Sequence, residues 1–462
     1  MSTLWSGRFD AEPDAAAFEF GASFRFDRRL FEDDVTGSLA WARALANAGV
    51  ITREDARHID AALVDLLERG RSDPSFITGP DEDIHSFVER QLVERLGDAG
   101  RRLHTGRSRN EQVSLDLRLY LRRRIPLVQR GVAAVVDALA AQATAAGDAL
   151  MPSFTHFRPA QPVLIAHFFL SHAAPLRRDF ARLQGAREEC DALPLGSGAI
   201  AGTAYAIDVD ALAHDLGFSR VVDNSMDASS DRDFAVTFLY ASALTMVHLS
   251  RLAEDLIVLS GDAHGFFELS DAMSTGSSMM PQKENPDPLE LVRGKSGRAL
   301  GHLVGLLTTI KGLPTGYNKD LQEDKEAVFG AEDTVGGCLA VVRSVVNGLT
   351  MNRDRAASAA SGLLLATDVA DYLVGRGVPF RRAHEIVGAL VRKLVAEGRD
   401  FDHLSLGEWR AASGLFEQDI VARVRPGASV AAKRTPQSTA PAAVAARLEE
   451  IRGWLDGVRR LC

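Results

Sequence analysis

Residues 228–261 read ASSDRDFAVTFLYASALTMVHLSRLAEDLIVLSG. Phe234, Phe238, Ala241, Leu244, His248, Leu252, Leu256 and Leu259 recur every three or four positions. That spacing puts them on one face of an α-helix about seven turns long. No proline interrupts the stretch: the chain has none between Pro194 and Pro281, nor between Pro314 and Pro379. Long helices need such gaps, because proline removes an amide donor and clashes with the turn before it.

The pattern extends outward in both directions. Leu289, Val292, Ala299, Leu303, Leu307, Ile310 and Leu313 trace a second helical face, with Gly294, Gly297, Gly301 and Gly305 at the same spacing. Each glycine costs a helix about 1 kcal/mol relative to alanine, so the stripe implies another helix packed very close along that side. EDKEAVFGAEDTVGGCLAVVRSVVNGL (323–349) reads as a third long helix, and 113–146 and 163–189 as two more, with kinks expected at Pro126 and Pro175. Alternating β-branched runs are nearly absent, so the fold class is all-α. Stretches 132–146 and 163–176 are apolar on more than one face, which favours a large bundle shared between subunits. The expected organisation is a mixed, mostly helical N-terminal domain at 1–110, a central long-helix bundle at 111–360 and a short-helix domain at 361–462.

Composition narrows the function classes. Lys and Arg number 53 against 62 Asp and Glu, a net charge of −9, which disfavours nucleic-acid and membrane-surface binding. Cys190, Cys338 and Cys462 are too scattered for a disulfide framework or a zinc site. The N-terminus has no apolar leader segment and no apolar run looks long enough to span a bilayer, so a reduced, cytoplasmic setting is expected.

Polar side chains concentrate in a few stretches. GSSMMPQKENPD (276–287) leads into the second helical face; Asp287 reads as its N-cap, with Pro288 and Glu290 completing the cap. A helix N-terminus favours anions, and Lys283, Ser277, Ser278 and Asn285 add charge and hydrogen-bonding groups. RGKSGR (293–298) is not a phosphate loop, since Leu289 stands where that motif needs glycine and the stretch lies inside a helix. Residues 101–130 hold nine arginines against Glu111 and Asp116, a local electropositive region suited to a small polyanion, and HTGRSRN (104–110) is its compact turn. SFTHFRPAQP (153–162) sets Thr155, His156, Arg158 and Gln161 between prolines, a rigid loop suited to a proton-carrying histidine or simply a structural one. DEDIH (81–85) suits a helix start without any metal. YNKDLQEDKEAVF (317–329) either grips an amino-acid-like ligand or is a solvated helix start.

Taken together, these stretches resemble the fumarase/aspartase superfamily, whose mobile loop GSSMMPQKENPD matches, and within it the argininosuccinate lyase family and its delta-crystallin relatives. The resemblance implies a three-domain subunit in a homotetramer with a twenty-helix core and active sites shared between subunits. It implies β-elimination of argininosuccinate to arginine and fumarate, the last step of arginine biosynthesis, with no cofactor and no metal. By resemblance, Ser277 is the base, His156 the partner acid or relay, and Lys283 and Asn285 hold carboxylates and the intermediate. Ser23, Asn110, Thr155, Tyr317, Gln322 and Lys325 bind substrate, with Arg109 and His85 as neighbours. Two residues depart from the family pattern: Glu111 replaces the usual aspartate and Glu284 a frequent lysine. The alternatives are a sister lyase, adenylosuccinate lyase or aspartase, and a non-catalytic crystallin-like protein. The implied step removes a proton beside a carboxylate and builds a doubly charged aci-carboxylate, so stabilising negative charge is the main task. Serine is a poor base at its free pKa and acts only in a positive site.

Overall fold

The computed structural model of the protein describes residues 14–461; the N-terminal stretch read above and Cys462 lie outside the described residues. The chain is helical nearly throughout, as the periodicity requires. It folds into two compact units interleaved in sequence. One comprises residues up to Gln129 with Ala181–Leu244 and Gly297–Val335; the other comprises Arg130–Phe180, Thr245–Ser296 and the chain from Gly336 onward. Five long helices, Arg109–Ala146, Ile165–Glu189, Asp233–Ser260, Asp287–Ile310 and Glu323–Asn347, each begin in one unit and end in the other. Pro126 and Pro175 lie inside the first and second of these, and neither ends its helix.

In the first unit, helices Phe31–Asn47, Arg53–Ser72 and Ile84–Leu96 bury Trp41, Leu63 and Phe87 completely. Phe24 stacks on Phe87 with ring centroids 5.4 Å apart. A Cβ on Gly70 would stand 2.2 Å from the Phe31 ring, so glycine is what lets these helices approach. The arginine run does not form the electropositive region expected above. Arg102 pairs with Asp55, Arg118 with Asp231, Arg123 with Asp33 and Arg124 with Glu332. Carboxylates brought in from elsewhere in the unit neutralise charges that looked unopposed along the chain.

In the second unit, Phe168, Phe169 and Phe267 cluster, and the buried Gln142 amide donates to the carbonyls of Val346 and Leu349 at 2.7 and 3.0 Å. The short helices after residue 361 enclose a core of Leu373, Leu394, Phe401, Trp409 and Phe416. The third long helix corrects one expectation: by length and composition it could cross a membrane. Its most apolar window is 56% buried in the fold, and His248 on it is held to Asp179 at 2.6 Å, as a core helix requires.

Among the described residues, β structure is confined to four two-stranded sheets. Two are hairpins, and both carry residues singled out above. The glycine stripe on the fourth long helix faces open space among the described residues: apart from the helix's own backbone and sequence neighbours, no described heavy atom lies within 4 Å of a Cβ built at Gly294, Gly297, Gly301 or Gly305.

Candidate active site

Strands Leu150–Thr155 and Arg158–Leu164 pair antiparallel, from Leu150 opposite Leu164 to Thr155 opposite Arg158. The prolines of SFTHFRPAQP therefore bound a hairpin and not an irregular loop. The register shifts between Pro152 and Phe154. There the Ser153 hydroxyl donates to the Gln161 carbonyl at 2.8 Å and accepts its N–H at 3.2 Å, supplying bonds the ladder loses. The turn is His156–Phe157, with φ of 54° and 57°. Two positive φ values in a two-residue turn match the right-handed twist of the strands, but such turns ordinarily use Asn-Gly. Each side chain held there costs about 1–3 kcal/mol. The reward is an exposed His156 at the tip of a short rigid arm, beside Thr155.

The second hairpin is GSSMMPQKENPD itself. Thr275 and Gly276 pair with Asn285 and Glu284, leaving Ser277–Lys283 as its tip. Ser277 Oγ accepts the N–H groups of Met279 at 3.2 Å and Met280 at 3.0 Å. Two amides aimed at one hydroxyl oxygen favour its anionic form. Lys283 is exposed at the far side of the tip, and Asn285 is half-buried on the returning strand. The helix that follows starts one residue earlier than the capping pattern suggests. The Pro286 carbonyl accepts Leu289 and Glu290 N–H at 2.9 and 3.1 Å, and Asp287 falls in the first turn. Its carboxylate accepts the Thr275 hydroxyl at 2.5 Å, a better partner than an amide, which ties the hairpin to the helix start.

A second group of polar residues collects in the first unit. Ser23 is buried; its hydroxyl donates to Asp27 at 2.5 Å and its N–H to the Glu82 carbonyl at 2.8 Å. Asp27 also accepts Ile84 N–H at 3.0 Å, so Ser23 and DEDIH are bound to each other. Burial pushes Asp27 up to about 6, against the pull of His85 and the Ser23 hydroxyl. Asp83 caps the helix by accepting Ser86 N–H at 2.7 Å. Burial would raise its pKa, but Arg109, His85 and that bond hold it at about 2. Arg109 lies 3.8 Å from both Asp83 and Glu89, and donates to Gln112 at 3.1 Å. Lys325 is almost fully buried, 3.1 Å from Asp324, whose other oxygen takes the Arg232 guanidinium at 2.5 Å. Burial raises the Tyr317 pKa, opposed by Arg232 and by a bond from Gln322.

His85 turns one ring nitrogen to two acids, while its buried Nε2 has no hydrogen-bond partner among the described residues. Its Nδ1 lies 2.6 Å from Asp34 and 3.2 Å from Asp116, all three buried. Burial alone would lower its pKa, yet the bonds to Asp116 and Asp34 raise it to about 10. These three residues place one ligand atom each within 4.8 Å of one another, so their donor set suits a cation in principle. The His85 imidazolium and the buried Arg107 guanidinium hold the Asp34 pKa down, while burial and the neighbouring Asp34 charge push that of Asp116 up, so the cluster keeps its own protons. The Gln112 amide donates to Asp34 at 2.6 Å.

Ser23, His85, Arg109, Asn110, Tyr317, Gln322 and Lys325 thus belong to one unit, and Thr155, His156, Ser277, Lys283 and Asn285 to the other. The reading from sequence passed over Asp27 and Asp324, which bond to Ser23 and Lys325, and Arg232, which pairs with Asp324. Glu111 was noted as a departure from the family pattern; its buried carboxylate receives the backbone of Ser108, Gly196 and Gly198, and is raised by burial to about 7 against those bonds. The Ser108-x-x-Glu111 spacing, a capping box, was the available signal.

A family model described as Lyase matches residues 7–301, and one described as argininosuccinate lyase C-terminal matches 363–431. The argininosuccinate lyase of Moorella thermoacetica is 47% identical over 99% of this chain and 98% of its own length. That of Roseiflexus castenholzii is 48% identical over 98% and 99%. Among solved structures, an EDDS lyase variant with bound fumarate aligns with a TM-score of 0.83 at 25% identity, covering 96% of this chain and 90% of its own. Identity approaching one half across the whole chain, with both family models placed in order, means that the chain belongs to the argininosuccinate lyase family.

Proposed function

We infer that this protein catalyses the reversible β-elimination of argininosuccinate to L-arginine and fumarate. The base removes a proton from the carbon beside a carboxylate, the electron pair moves into that carboxylate as an aci-carboxylate, and collapse expels the guanidine nitrogen from the next carbon. What supports Ser277 as the base is the pair of amides at its Oγ, which lowers the cost of the serine alkoxide. Lys283 and Asn285, close by in sequence on the same hairpin, are suited to the negative charge that develops. His156, on its strained exposed turn, serves as the acid or relay, with Thr155 beside it. Ser23, Asn110, Tyr317, Gln322 and Lys325 bind substrate, Arg109 and His85 set their surroundings, and the Asp34–His85–Asp116 cluster is held by protons, with no metal and no cofactor.

Sharing of sites in a cytoplasmic homotetramer belongs to the same reading. The glycine stripe and the apolar Leu300 and Val304 beside it are uncovered in the single chain, which supports a close neighbour from another copy. The division near residues 110 and 360 belongs to the same reading, and the C-terminal family match beginning at 363 supports the second of these boundaries. Sister reactions would use similar hairpins, but the full-length relatives above favour argininosuccinate.

The test mixes purified protein with argininosuccinate and follows fumarate by ultraviolet absorbance. Ser277→Ala should lower turnover roughly 10²- to 10⁴-fold while the assembly persists. Near-normal turnover in that variant would remove Ser277 from the base role, and no fumarate from the wild type would refute the substrate.

A further inference from the structure

One buried carboxylate joins two stretches that are remote in sequence. Glu111 is fully buried in the first turn of the helix Arg109–Ala146. Its Oε1 accepts Ser108 N–H at 3.0 Å, closing the cap, and its Oε2 reaches across to accept Gly196 N–H at 2.8 Å and Gly198 N–H at 2.9 Å. Both glycines are left-handed, with φ of 101° and 59°, and a Cβ on Gly198 would stand 2.5 Å from the Gly202 carbonyl oxygen. The loop therefore curls its amides onto the carboxylate in a form that other residues resist.

The same loop touches two of the stretches named above. Asn110 donates from Nδ2 to the Ala199 carbonyl at 3.1 Å. A Cβ on Gly316, the residue before Tyr317, would stand 2.7 Å from the Ile200 side chain. A Cβ on Gly106, in the arginine turn, would stand 2.6 Å from the Tyr205 ring. The segment 196–205 is thus the surface against which the Asn110 turn and the Tyr317 segment are set.

We propose that Glu111 is a positioning residue for substrate binding: its carboxylate fixes the Ser108–Asn110 turn against the loop 196–202, so that Asn110 meets the substrate in one geometry. This rests on the reading that Asn110 contacts argininosuccinate. Three amide donors converge on the carboxylate, and they require an acceptor with negative charge more than they require a given volume. Glutamine keeps the shape but presents an NH₂ that cannot accept. Aspartate, the usual family residue here, keeps the charge and gives up one methylene.

The experiment measures KM and kcat for argininosuccinate in Glu111→Gln, Glu111→Asp and Asn110→Ala, with amide hydrogen exchange over 196–202. Glu111→Gln should raise KM about tenfold or more, change kcat less than about threefold, and lose exchange protection at Gly196 and Gly198. Glu111→Asp should stay within about threefold of wild type, a rescue by charge that a volume-filling role would not produce. A wild-type KM in Glu111→Gln, or a worse KM in Glu111→Asp than in Glu111→Gln, overturns the proposal. A wild-type KM in Asn110→Ala overturns instead the reading that Asn110 binds substrate. Should the glutamine variant not assemble, Glu111→Asn against Glu111→Asp compares neutral with charged at equal size: a KM about tenfold higher in the asparagine variant supports the proposal, and equal values overturn it.

Discussion

At the scale of single residues, the sharpest consequence of burial is at His85. Its pKa rises from 6.5 to about 10 because Asp116 and Asp34 outweigh the cost of burying the imidazolium. A raised pKa means that the folded state binds the proton more tightly than the unfolded chain. The resulting stability is fully present below pH 6.5 and is lost as the pH rises through about 10. Denaturant unfolding of the wild type should therefore weaken across that interval. In His85→Gln, which cannot carry the charge, the decline should be shallower by a few kcal/mol. Equal slopes in the two proteins would show that the proton is not held there. His85 was visible in the sequence only as part of DEDIH; its partners Asp34 and Asp116 lie 51 and 31 positions away, at 34 and 116, on other helices. Glu111 was hidden for the same reason, since its glycine partners are 85 and 87 residues downstream. Ser277, proposed as the base, was easier to single out, because Lys283 and Asn285 are near it in the chain.

At the scale of elements, helices and hairpins differ in how openly they are written. The long helices bury one face over many turns, so a period near 3.6 repeats often enough to be recognised. The two hairpins have strands too short or too rich in proline to alternate, and neither turn carries the Asn-Gly signal. His156–Phe157 is held in the left-handed region with no glycine at all. Phe157 is 88% exposed, so its ring contributes little burial within the chain to offset that strain. Phe157→Gly should then raise resistance to thermal unfolding, by about 1 kcal/mol, because the new residue carries no Cβ penalty. Calorimetry of the assembled protein decides the matter: a lower midpoint would mean that the ring is held by contacts the single chain does not make. The helix start at Pro286 teaches a related lesson. The capping residues were identified, but Thr275, brought close by the hairpin, takes the Asp287 carboxylate and shifts the boundary.

At the scale of the whole molecule, the glycines of the fourth long helix were legible as a demand for a close neighbour, though not for where it comes from. Intramolecular packing leaves the demand unmet, because the space above Gly301 is open and Val304 beside it is 60% exposed. Glycine there weakens the helix by about 1 kcal/mol relative to alanine, so the isolated chain would be better served by leucine. Gly301→Leu separates the two accounts. In the single chain a Cβ at this position stands in open space, and far-ultraviolet circular dichroism should match the wild type. If another copy packs its helix along the stripe, the leucine occupies the space that helix needs, since overpacking typically costs about 1–3 kcal/mol per site and recurs in every subunit. Sedimentation should then show a smaller species, with fumarate production falling in step with the loss of assembly. Unchanged sedimentation with wild-type turnover would detach the glycine stripe from assembly and leave the exposed helix face without a partner among copies of this chain.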